Sequence, residues 1–405
     1  MATTDVKIEL EVDLSLIPNY AIVLDDPIRG VLDSTAHRLG GVGFYNVSEY
    51  FQSMSVSRGK SRELDEYESG DAQVRFNNSQ RAFDPKYQLS PFYGSIVPRL
   101  PIRISVNDIL AYTGIVRDWN IGYDPGGASY ATAVCSDRFT ILAQAPLTLE
   151  YNDVQFSGQR INEILSRPEV DWSLTERNID TGETTLSADL IAEGTAALSY
   201  FRQVETTEQG QLFIAKNGYL TFRSRNDTPQ IAATFADDGT GIPYLSVSVV
   251  YGSELLYNRI EIIPDGLDPV IVDDAISQSG YGISALTLNT LHEYETDAQD
   301  MANYMLASYA QPEFRFEQVT IQLGDIPSGD VEDILNIELG DLIGITFTPS
   351  RIPPAIVEYA RVVGLEHEAE ALSHEVRVRL ASLAVIPFVL DSEALGVLDT
   401  SSLGY

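Results

Sequence analysis

The chain has 405 residues and carries 59 Asp and Glu against 26 Lys and Arg, a formal net charge of −33. So acidic a balance disfavours a protein that grips nucleic-acid phosphates, which needs clustered cations, and disfavours an anionic membrane surface as partner; it suits a surface that DNA slides past without sticking. With 44% hydrophobic and 21% charged residues the chain has material for packed cores, is no disordered polyelectrolyte, and should form two to four domains.

In chain order, Val6, Ile8, Leu10, Val12 and Leu14 alternate with Lys7, Glu9, Glu11 and Asp13, the period-2 pattern of a half-buried strand. The opening MATTDVKIEL has no basic region followed by an apolar core, so no signal peptide is expected, and no apolar run is long enough to span a bilayer. Residues 1–50 read as this strand plus an arm, with turns at Pro18-Asn19, Asp26-Pro27 and Gly40-Gly41. Residues 51–145 are strand-rich without a helical period and read as a first β-barrel-like domain. Gly59 offers a positive-φ turn after Met54–Ser57, and Gly70 breaks the polar run Glu63–Ser69. Val74 and Phe76 alternate with Gln73 and Arg75, and Asn77-Asn78-Ser79 is a turn cluster. Asp84 and Ser90 precede prolines and are biased to extended backbone. Pro98 and Pro101 frame a strand in which Ile102, Ile104 and Val106 share a face. Asp124-Pro125-Gly126-Gly127 marks a loop, and the single cysteine, Cys135, excludes an intrachain disulfide and reads as a small buried apolar residue.

Residues 146–235 read as an α+β domain. Ile161, Ile164 and Leu165 share a helical face that Pro168 stops; Thr195 can cap a second helix carrying Leu198, Phe201 and Val204, with Gly210 at its end. Asn217-Gly218 between Leu212–Ala215 and Leu220–Arg223 is a strong hairpin signal. Residues 236–386 read as a second β-rich domain around a helix over 296–311, capped by Thr296, with Ala298, Met301, Ala302, Met305, Leu306 and Tyr309 as its apolar stripe. Strands are expected at Tyr244–Tyr251, Asn258–Ile263, Phe316–Leu323, Leu342–Phe347, Val357–Glu366 and Glu375–Leu380. Residues 387–405 form a C-terminal strap. The fold class is thus β-rich α+β and multidomain, with two β-barrel-like domains and α+β modules.

Chemistry is sparse. Asp25-Asp26, Asp237-Asp238 and Asp273-Asp274 are what any chain with 59 acids contains, and read as solvated surface. His367-Glu368 and His374-Glu375 have the wrong spacing for a helical zinc motif and read as two strands joined by a turn; His37 and His292 have no partner at suitable spacing. Asp325–Asp333 lacks calcium-loop spacing and reads as a polar surface loop. No Gly-x-Ser-x-Gly elbow and no phosphate loop occurs. The 21 tyrosines suit strands and interfaces, and equally a sugar-binding face. No catalytic residue, cofactor or metal is assigned.

One set of motifs carries a family resemblance: Arg58-Gly59-Lys60-Ser61-Arg62-Glu63-Leu64-Asp65, Gly70-Asp71-Ala72, Phe83-Asp84-Pro85, Ser90-Pro91-Phe92-Tyr93-Gly94, then Pro98 and Pro101-Ile102-Arg103-Ile104. In this order they resemble the minor tail proteins of long-tailed bacteriophages, especially those of actinobacteria; Tyr257-Asn258-Arg259 and Leu339-Gly340-Asp341 also resemble tail-hub motifs. The resemblance implies a non-enzymatic virion protein, a tail-tip or baseplate hub subunit with a fold shared with contractile-phage hubs. It implies a homotrimer located at the virion tail tip and assembled in the host cytoplasm. Its partners would be the distal tail protein, the tape-measure protein and other minor tail or fibre proteins, with DNA passing transiently and no membrane anchor. A carbohydrate- or receptor-binding tail module is the competing reading. Finally, residues 23–34 echo residues 389–400 without gaps: Leu24, Asp25, Gly30, Leu32 and Asp33 match Leu390, Asp391, Gly396, Leu398 and Asp399. These read as two copies of a docking strap, or as coincidence in a Leu/Asp/Val-rich chain.

Overall fold

A computed structural model describes residues 4–13, 22–23, 25–28, 30–31, 41–225, 227 and 231–382. His37, Leu24, Leu32 and Asp33 lie outside the described residues, as does the whole C-terminal strap with Leu390, Asp391, Gly396, Leu398 and Asp399.

Alternating sequence makes one long sheet. Its strands are β1 (Val6–Asp13), β2 (Val42–Asn46), β3 (Phe51–Gly59), β4 (Glu68–Asn77), β5 (Leu100–Val106), β6 (Ile109–Tyr123), β7 (Ser129–Ser136), β8 (Ile231–Ala236), β9 (Ser246–Tyr251), β10 (Phe314–Gln322), β11 (Leu342–Phe347), β12 (Ile356–Glu370) and β13 (Ser373–Ser382). The hydrogen-bonded order is β9-β10-β13-β12-β3-β4-β7-β6-β5-β1-β2, with β11 branching antiparallel from β12 and β8 parallel to β11. Among the described residues this path is open and closes into no barrel. The β-rich α+β class stands, and the two strand-rich regions of the sequence meet in one ladder, because β12 pairs with β3 from Gly364↔Gly59 to Glu370↔Ser53.

The inner face is apolar for the reason the sequence shows. Ile8 and Leu10, Ile102 and Ile104, Val74 and Phe76 are all buried at alternate positions of their strands, each side chain contributing about 1.5–3 kcal/mol of burial. Smaller sheets flank the long one. Gln211–Ile214 and Leu220–Arg223 form the Asn217-Gly218 hairpin, with Gly218 at φ 87°. Val270–Asp273, Arg259–Pro264 and Ala285–Thr290 form a three-stranded sheet under the Glu295–Tyr309 helix, whose Ala298, Met301, Ala302 and Met305 close a second core.

Several local expectations change. Strand β2 occupies part of the stretch read as an arm; its weak pattern and mostly exposed or half-buried side chains hid it. Thr195 bonds the Ala192 carbonyl and leaves the Ala197–Glu208 helix without a side-chain cap. That helix ends on left-handed Gln209 (φ 56°), while the Gly210 N–H donates to the Glu205 carbonyl and a Cβ on Gly210 would sit 2.5 Å from the Arg223 carbonyl oxygen. Thr296 lies inside the first turn of its helix, whose N-cap is Tyr294. The acidic stretch 325–333 runs into a helix, Ser328–Asn336, because Val331, Ile334 and Leu335 supply a buried face at helical spacing. Among the described residues no helix is long and apolar enough to cross a membrane.

Gly59 sits not in a turn but at the last position of β3, at φ +100°. A Cβ there would lie 2.2 Å from the Val363 carbonyl oxygen and 2.7 Å from Gly364 Cα. Gly59→Ala should therefore destabilise the chain by about 3 kcal/mol, from strain at the positive φ and overpacking. An unchanged guanidinium unfolding midpoint would contradict this close approach.

Candidate functional site

The outer face of the long sheet presents ordered rows of polar side chains. Where Met54, Val56 and Arg58 point inward against Ala369, His367 and Leu365, the alternate positions Ser53, Ser55 and Ser57 oppose Glu370, Glu368 and Glu366. The rows continue across the register: Thr320–Arg377–Glu366–Ser57–Asp71 is one, and Gln322–Glu375–Glu368–Ser55–Gln73–Val134 the next. Arg377 bonds Glu366 at 3.3 Å, Glu368 at 3.2 Å and Glu375 at 2.5 Å, and Arg379 bonds Glu366. Such half-exposed pairs add only about 0–1 kcal/mol each to stability. Their effect is electrostatic: three of the carboxylates on this face have a guanidinium beside them. The result is a surface of hydroxyls, amides and carboxylates whose charge the two guanidiniums offset in part.

Beneath the same strands lies a buried polar seam. Arg58, 5% exposed, pairs with Glu338 at 2.7 Å. The other Glu338 oxygen accepts the Lys216 amide at 2.9 Å, and Lys216 Nζ donates to the Leu335 and Asn336 carbonyls at 3.0 and 2.9 Å. Thr113 Oγ1 donates to the Lys216 carbonyl at 2.9 Å. Burial alone would raise the Glu338 pKa; the Arg58 charge and the amide donors outweigh it and hold the carboxyl below its usual range. The seam thus ties the hairpin turn, β3, β6 and the Leu339-Gly340-Asp341 turn together.

The resemblance motifs divide into buried and exposed sets. Arg58 and Gly59 belong to the seam. Ser61 accepts from Arg379 at 3.5 Å, and Leu64 packs on the second core. Gly70 is inside β4 and does not end a strand: its N–H donates to Asp137 at 2.6 Å and its carbonyl accepts from Tyr112 at 3.1 Å. The loop 78–99 is built on Phe83, which stacks at 4.5 Å on Phe76, 5.5 Å on Phe92 and 5.7 Å on Trp119, contacts worth about 0.5–1.5 kcal/mol each. Asp84 accepts from Arg81 at 2.6 Å, Tyr123 at 2.8 Å and the Lys86 amide at 2.9 Å, and the Arg81 guanidinium holds its carboxyl below the usual range. Ser90 accepts the Phe92 amide and donates to the Ala82 carbonyl. These residues fix the loop. Pro85, Tyr93, Gly94 and Pro98 are exposed on it, and Pro91 is half-buried. Asn258, of the Tyr257-Asn258-Arg259 motif, is fully buried and bonds Gly282, Ser277 and Ser284. Of the ten matched strap positions only Asp25 (φ 64°) and Gly30, whose N–H donates to the Asp26 carbonyl, are described.

Asp137 and the His367–His374 pair are enclosed. Burial pushes Asp137 up to about 6 although Gly70, Ser69 and Phe139 donate to it. His367 and His374 stand on β12 and β13, ring nitrogens 3.2 Å apart, and burial lowers both, His374 to about 4. Among the described residues no three His, Cys, Asp or Glu side chains come together to hold a metal. Cys135 is buried. Asp237 holds Thr348, and Asp274 caps the Ala275–Tyr281 helix.

Comparison with solved structures places the architecture. A tail protein from Neisseria meningitidis superposes with a TM-score of 0.60 at 9% identity, covering 94% of this chain and 96% of that one. The fold is that of solved phage tail proteins. The 43 kDa tail protein of prophage MuSo2 from Shewanella oneidensis gives 0.56 at 13% identity, over 84% and 96% of the two chains. An Escherichia coli component of the type VI secretion system, described as similar to the T4 bacteriophage tail proteins gp27 and gp5, gives 0.51 at 9% identity over 88% of each. No protein-family model matches the sequence. No curated protein matches it either.

Glu205 supplies a test of the interior. It lies on the buried face of the Ala197–Glu208 helix, accepts the Leu212 amide at 2.9 Å and has Lys60, Glu66 and Arg202 as charged neighbours; burial pushes its pKa up to about 7. A raised carboxyl binds its proton more tightly folded than unfolded. Its contribution is therefore complete below about pH 4.5 and fades as pH rises through 7. Glu205→Gln removes this titration, so relative to the parent the variant should gain roughly 1–3 kcal/mol between pH 5 and pH 8. Urea midpoints at the two pH values check it, and a difference that does not change with pH refutes it.

Proposed function

We propose that this chain is a structural subunit of a tail tip or baseplate hub, of the type found in long-tailed phages of actinobacteria. Three copies would form a ring that continues the tail tube, between the distal tail and tape-measure proteins on one side and fibre or other minor tail proteins on the other. It would be assembled in the host cytoplasm, reside at the virion tail tip, and perform no bond-breaking. The tail-protein fold, spanning nearly the whole chain, is the observation that supports this reading.

The polar outer face of the long sheet is the surface we assign to the DNA channel. Passage without adhesion needs a wall that offers no cationic cluster to phosphates and no apolar patch to bases. The Ser53–Ser57 hydroxyls and the Arg377–Glu366–Glu368–Glu375 group meet both conditions. Low friction then comes from paired charge and small polar side chains, more than from the bulk repulsion that the net charge of −33 suggests. The competing reading is a glycan-binding module; two of the exposed tyrosines are already engaged, Tyr123 bonded to Asp84 and Tyr130 under the Arg75 guanidinium, 4.1 Å from its ring centre.

Replacing Ser53, Ser55 and Ser57 together by Arg tests the channel assignment. Particles should assemble with unchanged protein content but release their genome severalfold more slowly, as followed by a DNA-binding dye. Normal release kinetics would remove this face from the channel, and an image of the particle lacking this chain at the tail tip would remove the hub reading.

A further inference from the structure

Away from the long sheet, Glu150–Asn152 and Asp189–Ile191 form a two-stranded antiparallel ladder, with Asn152 opposite Asp189 and Tyr151 opposite Leu190. Charge-assisted bonds fix its inner positions. Arg160, fully buried, donates to Asp189 at 2.8 Å and to Tyr200 at 2.5 Å, and Arg167 donates to Asn152 at 2.6 Å. Strand alternation then sends Tyr151 and Leu190 outward, 61% and 60% exposed. Leu149 and Ala192 stand two residues from them on either strand and are exposed as well. Val154 and Phe156, also exposed, follow in the same segment.

The charge around this face is one-sided. Residues 146–196 hold ten Asp and Glu against three Arg and no Lys. All three Arg are turned inward: Arg160 and Arg167 as above, the latter also 3.2 Å from Glu150, and Arg177 onto the Asn162, Leu165 and Trp172 carbonyls. From neighbouring elements, Arg138 pairs with Glu176 at 2.5 Å and Arg99 bonds Gln144 at 3.4 Å. Beside the ladder, Asp153 and Glu193 are exposed and make no ion pair among the described residues. The face therefore combines apolar side chains with acid that no local cation offsets.

Clustered apolar side chains held rigidly in water and rimmed by charge mark interaction surfaces. A second copy would bring another strongly acidic surface, since the chain carries −33. The same acids disfavour an anionic membrane. A protein segment with apolar side chains and Lys or Arg matches both halves of the face. We propose that the ladder face around Tyr151 and Leu190 docks a cationic amphipathic segment of a different protein, its apolar side chains on Tyr151 and Leu190 and its cations beside Asp153 and Glu193. This goes beyond the hub reading and does not depend on it.

The test uses the full chain and, as probe, a fluorescent synthetic amphipathic helix of leucine and lysine, with binding read by anisotropy. Tyr151→Ser with Leu190→Ser should weaken binding roughly tenfold, and so should Asp153→Lys with Glu193→Lys. Leu174→Ser with Ile276→Ser removes highly exposed apolar side chains elsewhere and should leave affinity unchanged. The substituted side chains are exposed, so unfolding midpoints should hold in every variant. Equal affinity of the parent and both face variants overturns the proposal, as does a leucine–glutamate helix that binds as tightly. A parent dimer that Tyr151→Ser turns into a monomer gives the face to a second copy and overturns it too. Binding of a cell-wall glycan fragment that the same change abolishes does likewise, in favour of a sugar. Failure of the hub reading would appear separately, in particle images that lack this chain, and would leave these affinities untouched.

Discussion

Gly59 and Gly364 face each other where strands far apart in the chain become neighbours, and most of the architecture depends on that approach. Two backbones can come this close only without Cβ atoms between them. The pairing of β3 with β12 that follows turns two strand-rich regions into one ladder. Directly below it, Arg58 and Glu338 are both largely out of water, a pairing whose geometry and extra hydrogen bonds must offset the cost of desolvating two charges. The amide and carbonyl partners around Glu338 and Lys216 supply those bonds, so the seam positions the hairpin turn and the 338–341 turn at the same time.

A sheet this long has two faces with different duties. Its inner positions build the core, and its outer positions are left to meet solvent or cargo. The outer rows show carboxylates matched by Arg377 and Arg379, and serines where β3 crosses the middle. The chain's excess acid is instead concentrated elsewhere, notably in residues 246–312. That separation lets one molecule combine high net charge with a working surface on which the acid is partly offset. The loop 78–99 adds a rigid platform at one end, because a stack of Phe76, Phe83 and Phe92 holds it from within.

Local signals carried much of this. The period-2 runs at Val6–Asp13 and Gln73–Phe76 (within the longer strand Glu68–Asn77), the Asn217-Gly218 hairpin and the apolar stripe of the Glu295–Tyr309 helix appear in the structure where the sequence places them, since strand alternation, a positive-φ turn and a helical face are encoded within a dozen residues. Helix ends were less legible. Thr195 and Thr296 have the right chemistry for caps, but nearby partners engage them otherwise. Gly59 looks like a turn residue in the sequence and proves to be a strand residue that leaves space for a neighbouring backbone, as Gly70 leaves space for Asp137.

The amino-acid sequence alone therefore determined the class of element at most positions, the scarcity of reactive groups and the strong negative balance, because each is a property of composition or short-range spacing. Which strands are neighbours and which acids are paired with arginines were decided only by the tertiary structure. Those depend on contacts between residues hundreds of positions apart, such as Arg58 with Glu338 and Ser57 with Glu366, and no local pattern encodes such a pairing.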